Sequence, residues 1–200
     1  MWAGILDDAG RHALLCAQAL ALATAIGAPL AAFSAERARM RALLLALAAV
    51  GRTLPSIAVL TLLIPLLGVG TAPALVALVL LALPPIVINV DLAIRGVAPA
   101  ARDAALGLGM SRAQCFGRIV APLALPVALA GVRTASVEVI ASATLATFIG
   151  AGGLGDDIVR ALQTDDLPLL VAASATVAAM AFVAELLFAR TARAIEVRTS

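Results

Sequence analysis

Residues 98–126 read APAARDAALGLGMSRAQCFGRIVAPLALP, a polar stretch set between two long apolar runs, and its reading decides the fold. Pro99 suits the first turn of a helix, where its missing N–H costs nothing. Residues 100–108 predict a short helix that Gly107 and Gly109 weaken and end. Ser111, with Gln114 three residues on, is a capping box that opens a second helix. That helix is expected to reach about Val120 and to stop at Pro122.

Outside this stretch the chain is greasy. Of its 200 residues 63% are apolar and 13% charged, with a mean hydropathy of +1.09, whereas a soluble domain is about half apolar and a quarter charged. ALLCAQALALATAIGAPLAAFSA, residues 13–35, is long enough to cross a hydrocarbon core of ~30 Å at about 1.5 Å per residue. The expected fold is all-α, a polytopic integral-membrane helical bundle forming one domain over residues 1–200. About five spans are expected, near 13–33, 43–67, 73–94, 123–148 and 168–189, with the two small helices in a loop over 98–122. Asp7, Asp8 and Arg11 ahead of the first run are unlike a cationic signal-peptide leader, so the first span is expected to stay in the mature protein.

All fourteen basic residues are arginine. Ten of them lie in three segments: Arg37, Arg39 and Arg41; Arg95, Arg102, Arg112 and Arg118; Arg190, Arg193 and Arg198. In a five-span chain these segments share one side, and the positive-inside rule makes that side cytoplasmic. The N-terminus is then outside and the C-terminus inside. The break GAGGLGDDIVRALQTDDLP, with four aspartates and Arg160, falls outside.

Pro29, Pro55, Pro65, Pro84, Pro85 and Pro126 lie within or at the edges of apolar runs. Such breaks survive in lipid where neighbouring helices or a watered cavity satisfy the freed backbone groups. Arg52, Asp91, Arg133, Glu138 and Glu185 are ionisable groups in or near the spans, where each costs a few kcal/mol unless paired or hydrated. Matching depths predict two cross-helix pairs, Arg52–Glu138 and Arg133–Asp91. Arg52, Pro55, Asn89, Asp91, Arg133 and Glu138 are therefore the candidates for lining or bracing a path across the membrane.

The spacing in the opening stretch is that of a known element. Asp103-Ala104-Ala105, three residues, Gly109, nine residues, Ile119, two residues and Pro122 resembles the EAA loop of bacterial ABC-importer permeases. Aspartate stands for the usual glutamate, and Ala121 for the usual leucine. RTLPSIAVLTLLIPLLGVGTAPALVALVLLALPPIVINVDLAIRGV and GVRTASVEVIASATLATFIGAGGLGDDI resemble the permeases for glycine betaine, carnitine and choline over nearly the whole chain. Arg52 replaces the glutamine usual before T-x-P-S, and Glu138 stands where a neutral residue is expected. The resemblance implies a multi-pass protein of the bacterial inner membrane, paired with a second permease copy or paralogue. It also implies a separate ABC ATPase subunit and an extracytoplasmic substrate-binding protein as partners. Asp103, Ala104, Ala105, Gly109, Ser111, Ile119 and Pro122 would form the ATPase-coupling loop.

Other chemistries have little support. GAGGLG, residues 150–155, fits G-x-G-x-x-G on paper but lacks a βαβ unit and is followed by Asp156 and Asp157, which would repel phosphate. Gly150, Gly152, Gly153 and Gly155 read instead as a tight external turn. His12 is the sole histidine, and Cys16 and Cys115 lie too far apart in the topology to meet, so neither a metal site nor a disulfide is expected. Without lysine there is no Walker motif, no nucleophile–base arrangement stands out, and no cofactor is expected. The chain is read as a non-catalytic transport subunit, and a net charge of +2 gives no reason to invoke nucleic acid. Quaternary amines are commonly held in aromatic cages; with no tyrosine and one tryptophan, Trp2, the cage must sit on another protein. The alternatives are a permease for another small solute, such as an amino acid, and a self-sufficient channel or secondary carrier whose polar loop merely lies on the membrane surface. Dependence on ATP separates the last from the others.

Overall fold

A computed structural model describes residues 2–199, with side chains over 4–195; Trp2 and Arg198 thus lie outside the described side chains. The chain is helical from end to end. Helix α1 runs Trp2–Ser34, α2 Ala38–Gly51, α3 Ser56–Leu62, α4 Ile64–Leu67 and α5 Thr71–Gly96. Helix α6, Pro99–Gly107, and α7, Arg112–Cys115, are the two small helices of the polar loop. A wide π turn over Phe116–Val120 joins α7 to α8, Ala121–Ala143. A 3₁₀ turn over Thr144–Ile149, then α9, Leu154–Thr164, and α10, Leu167–Thr199, complete the fold.

Helix α5 is the centre. Ala74, Ala77, Leu78, Ala82 and Ile86 on it are fully buried, and it is packed by α1, α2, α3 and α8. Small residues permit close approach. At Gly131 of α8 a Cβ would lie 2.7 Å from both the Asn89 Cβ and the Pro85 carbonyl oxygen, so the two helices meet there backbone to backbone. Helix α10 packs on α8 and α9 only along one side and leaves Val171, Phe182, Val183 and Leu187 open, as a lipid-facing helix does.

Four stretches, Gly4–Ser34, Thr71–Gly96, Arg112–Ile149 and Leu167–Ile195, are long and apolar enough to cross a membrane. The expected span over 43–67 is not one rod. It breaks after Gly51, and Ser56–Leu67 leaves α2 at an angle of 100°. Pro55 causes the break: it cannot donate to the ladder, its own backbone is extended ahead of α3, and a proline disfavours helical geometry in the residue before it. The bent pair still carries the chain from one end of the bundle to the other. Glu36, just before α2, lines a cavity with Arg102 and Arg112, while Gly70, just after α4, donates its N–H to the Ile149 carbonyl at 2.6 Å.

Two further expectations need correction. Pro122 does not stop the second small helix; it occupies the first turn of α8. The turn before it is widened, with the Ala121 N–H reaching back five residues to the Phe116 carbonyl. This π turn absorbs the proline, so one continuous stretch of 38 residues runs from the polar loop into the membrane. The aspartate-rich break is also not simply a loop, because α9 forms within it. Asp156 and Asp157 fall in its first turn, where carboxylates favour the helix dipole, while Leu154 and Ala161 are buried.

Candidate functional site

The polar loop is built by capping at both of its inner ends. Ser111 Oγ accepts from the Gln114 N–H at 3.2 Å, and Gln114 Oε1 accepts from the Ser111 N–H at 2.9 Å, completing the capping box. At the C-terminus of α6, the Met110 N–H donates to the Ala105 carbonyl at 3.2 Å and the Gly109 N–H to Leu106 at 2.9 Å. This is a Schellman motif, and it requires a left-handed residue at Gly109, whose φ is +84°. Ala105 is buried beneath the turn, while Asp103, Ala104 and Gly109 are exposed. Leu108 is 82% exposed, a leucine presented outward at the tip of a charged loop.

Arg102 fixes this element to the core. Its guanidinium donates to the Ile94 carbonyl in the last turn of α5, a cation placed where the helix dipole is negative. The sequence identified Arg102 only as one of the positive-side arginines; a basic residue three positions into a helix that follows a span is the signal that could have found it. Ile119 is half-buried in the π turn and Pro122 is exposed beyond it.

The membrane charges are arranged differently from expectation. Arg133 pairs with Glu185 of α10, not with Asp91. Arg133 is on the side of α8 that faces α10, whereas Asp91 is buried on α5 and its Oδ1 has no partner among the described residues. Asn89 is spent on the backbone, its Nδ2 donating to the Pro85 carbonyl at 2.8 Å. The other expected pair, Arg52–Glu138, makes no salt bridge among the described residues. Arg52 caps α2 at the Gly51–Ser56 break, three residues before Pro55, and Gly51 there abuts Pro84 in the middle of α5. Ala130, Arg133, Thr134, Val137, Glu138 and Glu185 line an open cavity of about 440 Å³.

The glycine turn caps the opposite end of the bundle. Gly150, Gly152 and Gly153 have positive φ, and Gly155 abuts the Thr144 carbonyl. Asp156 accepts from the Thr147 hydroxyl, and Asp157 pairs with Arg160. Asp166 Oδ1 caps α10 by accepting from the Leu169 N–H at 3.0 Å. His12, packed beside Gly153, has its Nε2 3.0 Å from the Ile140 carbonyl. Among the described residues no cluster of His, Cys, Asp and Glu could hold a metal ion, and both cysteines are free and buried.

Residues 24–200 match the family described as "Binding-protein-dependent transport system inner membrane component". The chain belongs to this family. Its relatives include the carnitine transport permease protein OpuCB of Listeria monocytogenes, 35% identical over 90% of this chain and 83% of that one. The choline transport system permease protein OpuBD of Bacillus subtilis is 35% identical over 96% of this chain and 85% of its own. The osmoprotectant import permease protein OsmW of Salmonella typhimurium is 35% identical over 93% and 92%. In fold, the chain is similar to the inward-facing MetNI methionine ABC transporter, with a TM-score of 0.88 at 18% identity, covering 98% of this chain and 97% of that one.

For an inner membrane component of a binding-protein-dependent system, the helical bundle is the transport part itself. The capped polar loop and the intramembrane charges are then the two places where function has to be sought. They sit at different levels of the bundle and are linked through α5, which carries Asn89 and Asp91 and whose end Arg102 holds.

Proposed function

We propose that this chain is the permease subunit of an ATP-driven importer for quaternary-amine osmoprotectants, the class of glycine betaine, carnitine and choline. The carrying observation is the loop over 98–122: a short helix locked by a Schellman turn and a capping box, tied to α5 by Arg102, with Asp103, Ala104 and Leu108 turned outward. Such an element is a rigid lever. Force applied to α6 passes to the end of α5 through Arg102 and to α8 through the continuous helix that begins at Ser111. A flexible loop would dissipate it.

In this reading the arginine-rich end is cytoplasmic and the N-terminus is outside. A separate ABC ATPase docks on Asp103, Ala104 and Leu108, with Ala105, Gly109, Ser111, Ile119 and Pro122 holding the shape of the loop. A substrate-binding protein meets the Gly150–Gly155 turn on the outer side, and a second permease copy completes the membrane path. The chain carries out no covalent chemistry, since ATP is hydrolysed on its partner. The relatives named as carnitine, choline and osmoprotectant permeases support the solute class.

The test is uptake of labelled glycine betaine and choline by cells with and without the gene, with Gly109→Pro as a lever-broken control. Proline at 109 cannot adopt the positive φ of the turn, nor supply the N–H that Leu106 accepts. Uptake that needs both the gene and the intact turn is expected. Uptake unchanged by deletion of the gene would remove the solute assignment, and uptake unchanged by Gly109→Pro would remove the lever.

A further inference from the structure

Asp91 is 5% exposed, lies within the span Thr71–Gly96, and its Oδ1 is buried with no partner among the described residues. A carboxylate stripped of water without gaining a counter-charge is costly at membrane depth. The nearby cations do not relieve it. Arg133 is taken by Glu185, and Arg102 donates to the Ile94 carbonyl. Arg95, one turn further along α5, is exposed and makes no salt bridge among the described residues. Arg41 on α2 is different: it is half-buried, and its Nε is buried and unpartnered as the Asp91 oxygen is.

Register turns these two groups toward each other. Leu80, Pro84 and Val87 of α5 and Leu44, Ala48 and Gly51 of α2 line one apolar cavity of about 360 Å³. Asp91 continues the α5 stripe four residues past Val87, and Arg41 continues the α2 stripe three residues before Leu44. Each therefore stands on the face of its helix that looks at the other helix. The two helices are antiparallel, since α2 begins and α5 ends beside Arg102. They meet closely where a Cβ at Gly51 would lie 3.2 Å from Pro84 Cγ. Arg41 is ten residues from that contact and Asp91 seven, or about 15 and 10 Å along the axes at about 1.5 Å per residue. The offset of about 5 Å is one that the long stem of an arginine spans. Yet no salt bridge joins them among the described residues.

We infer that Arg41 and Asp91 are the two halves of a latch, open in this conformation and closed in another state of the transport cycle, when α2 pivots where Gly51 meets Pro84 and draws onto α5. The break at Pro55 frees the far end of α2 from a continuous rod, and the cavity alongside leaves it room to close. Packed helices switch between discrete arrangements, and an unmatched charge on each side favours the arrangement that joins them. The latch adjoins the lever. Arg102 of the polar loop holds Ile94, one turn beyond Asp91, and Glu36, just ahead of α2, lines a cavity with Arg102 and Arg112. This inference rests on the reading of the chain as an ATP-driven permease.

Two measurements on the complete transporter test it. Thermal unfolding without nucleotide reads the open state, where Asp91→Asn removes a charge that has no partner. Its midpoint is expected to rise. A midpoint that falls, or a failure to assemble, means that Asp91 is already engaged in this conformation and overturns the latch. ATP hydrolysis in liposomes, normalised to the amount of complex, reads the cycle. Asp91→Asn and Arg41→Gln are each expected to lower it by about tenfold or more, the loss of one charge-assisted contact. The double variant Arg41→Gln with Asp91→Asn is expected to fall no further than the worse single variant, because the two groups act as one unit. Losses that multiply in the double variant, or an unchanged rate in either single one, overturn the latch. Non-additivity of Asp91→Asn with Arg95→Gln in place of Arg41→Gln overturns it as well. A wild-type complex that hydrolyses no ATP overturns the importer reading, and the latch with it; variant results in an active complex bear on the latch alone.

Discussion

Gly155 and Gly10 are the same residue type in very different surroundings. A Cβ at Gly155 would overlap the Thr144 carbonyl oxygen and lie 3.0 Å from its carbon, and both are backbone atoms that cannot swing aside. Gly155→Ala must therefore push α9 off the Thr144–Ile149 turn, an overpacking cost of about 1–3 kcal/mol or more. Gly10 lies on an exposed face of α1 in ordinary helical geometry with open space around it. Gly10→Ala should stabilise by about 0.5–1 kcal/mol, by restricting the unfolded chain. Thermal unfolding of the purified protein in detergent checks the contrast: the Gly155→Ala midpoint should fall and the Gly10→Ala midpoint rise, and two equal midpoints would mean that α9 does not seat on Thr144 as described. At this scale the sequence was only partly informative. Gly155 was legible as part of a turn, but its close approach depends on which backbone lies opposite. Arg133 was legible as a charge needing a partner, but the choice of Glu185 over Asp91 depends on which side of α8 it leaves from.

At the scale of elements, α6 and α7 were the most legible part of the chain because their determinants are local. Pro99 opens α6, Gly109 closes it in a left-handed turn, and Ser111 with Gln114 starts α7; each acts within a few residues of itself. The same locality gives a graded prediction. Gly109→Asn keeps a residue that tolerates the left-handed region, whereas Gly109→Val adds a branched side chain there at a cost of about 1–2 kcal/mol or more. In the assembled transporter, substrate-stimulated ATP hydrolysis should be near wild-type for Gly109→Asn and lowered severalfold for Gly109→Val, with the amount of complex unchanged. Equal rates in the two variants would mean that the angle set at Gly109 does not govern coupling. Less legible were the two places where proline meets a span. At Pro55 the helix breaks through 100°, and at Pro122 it continues through a widened turn. Proline's missing N–H is common to both, and the difference lies in what precedes it: before Pro122 the widened turn, with the Ala121 N–H on the Phe116 carbonyl, lets the helix run on, while Pro55 follows α2, whose ladder it cannot extend.

Across the whole molecule, charge and packing divide the bundle into two ends. Glu36 meets Arg102 and Arg112 at one end, which also receives Arg95 and Arg118. At the other end Gly70 binds Ile149, Gly153 abuts His12, and Asp157 and Arg160 act on Asp8 near the start of α1. The N-terminus thus lies at the aspartate end, and α10 starts there and runs away from it, so the two termini are at opposite ends. This arrangement was legible from the spacing of arginines, because insertion responds to the placement of lysine and arginine in short loops and not to tertiary detail. The packing orders only the two ends; which of them faces the cytoplasm is the part that charge predicts. Single cysteines introduced at Gln163 in α9, and at Ala38 and Ala113 at the arginine end, are all placed at exposed positions. The native Cys16 and Cys115 are buried and should give little background. A membrane-impermeant thiol reagent applied to intact cells should label Gln163→Cys and leave Ala38→Cys and Ala113→Cys untouched until the membrane is opened. Labelling of Ala38→Cys together with Gln163→Cys would mean that the bent pair α2 to α4 dips into the membrane and returns, and the lever on α6 would then face an ATPase across a bundle with four crossings, not five.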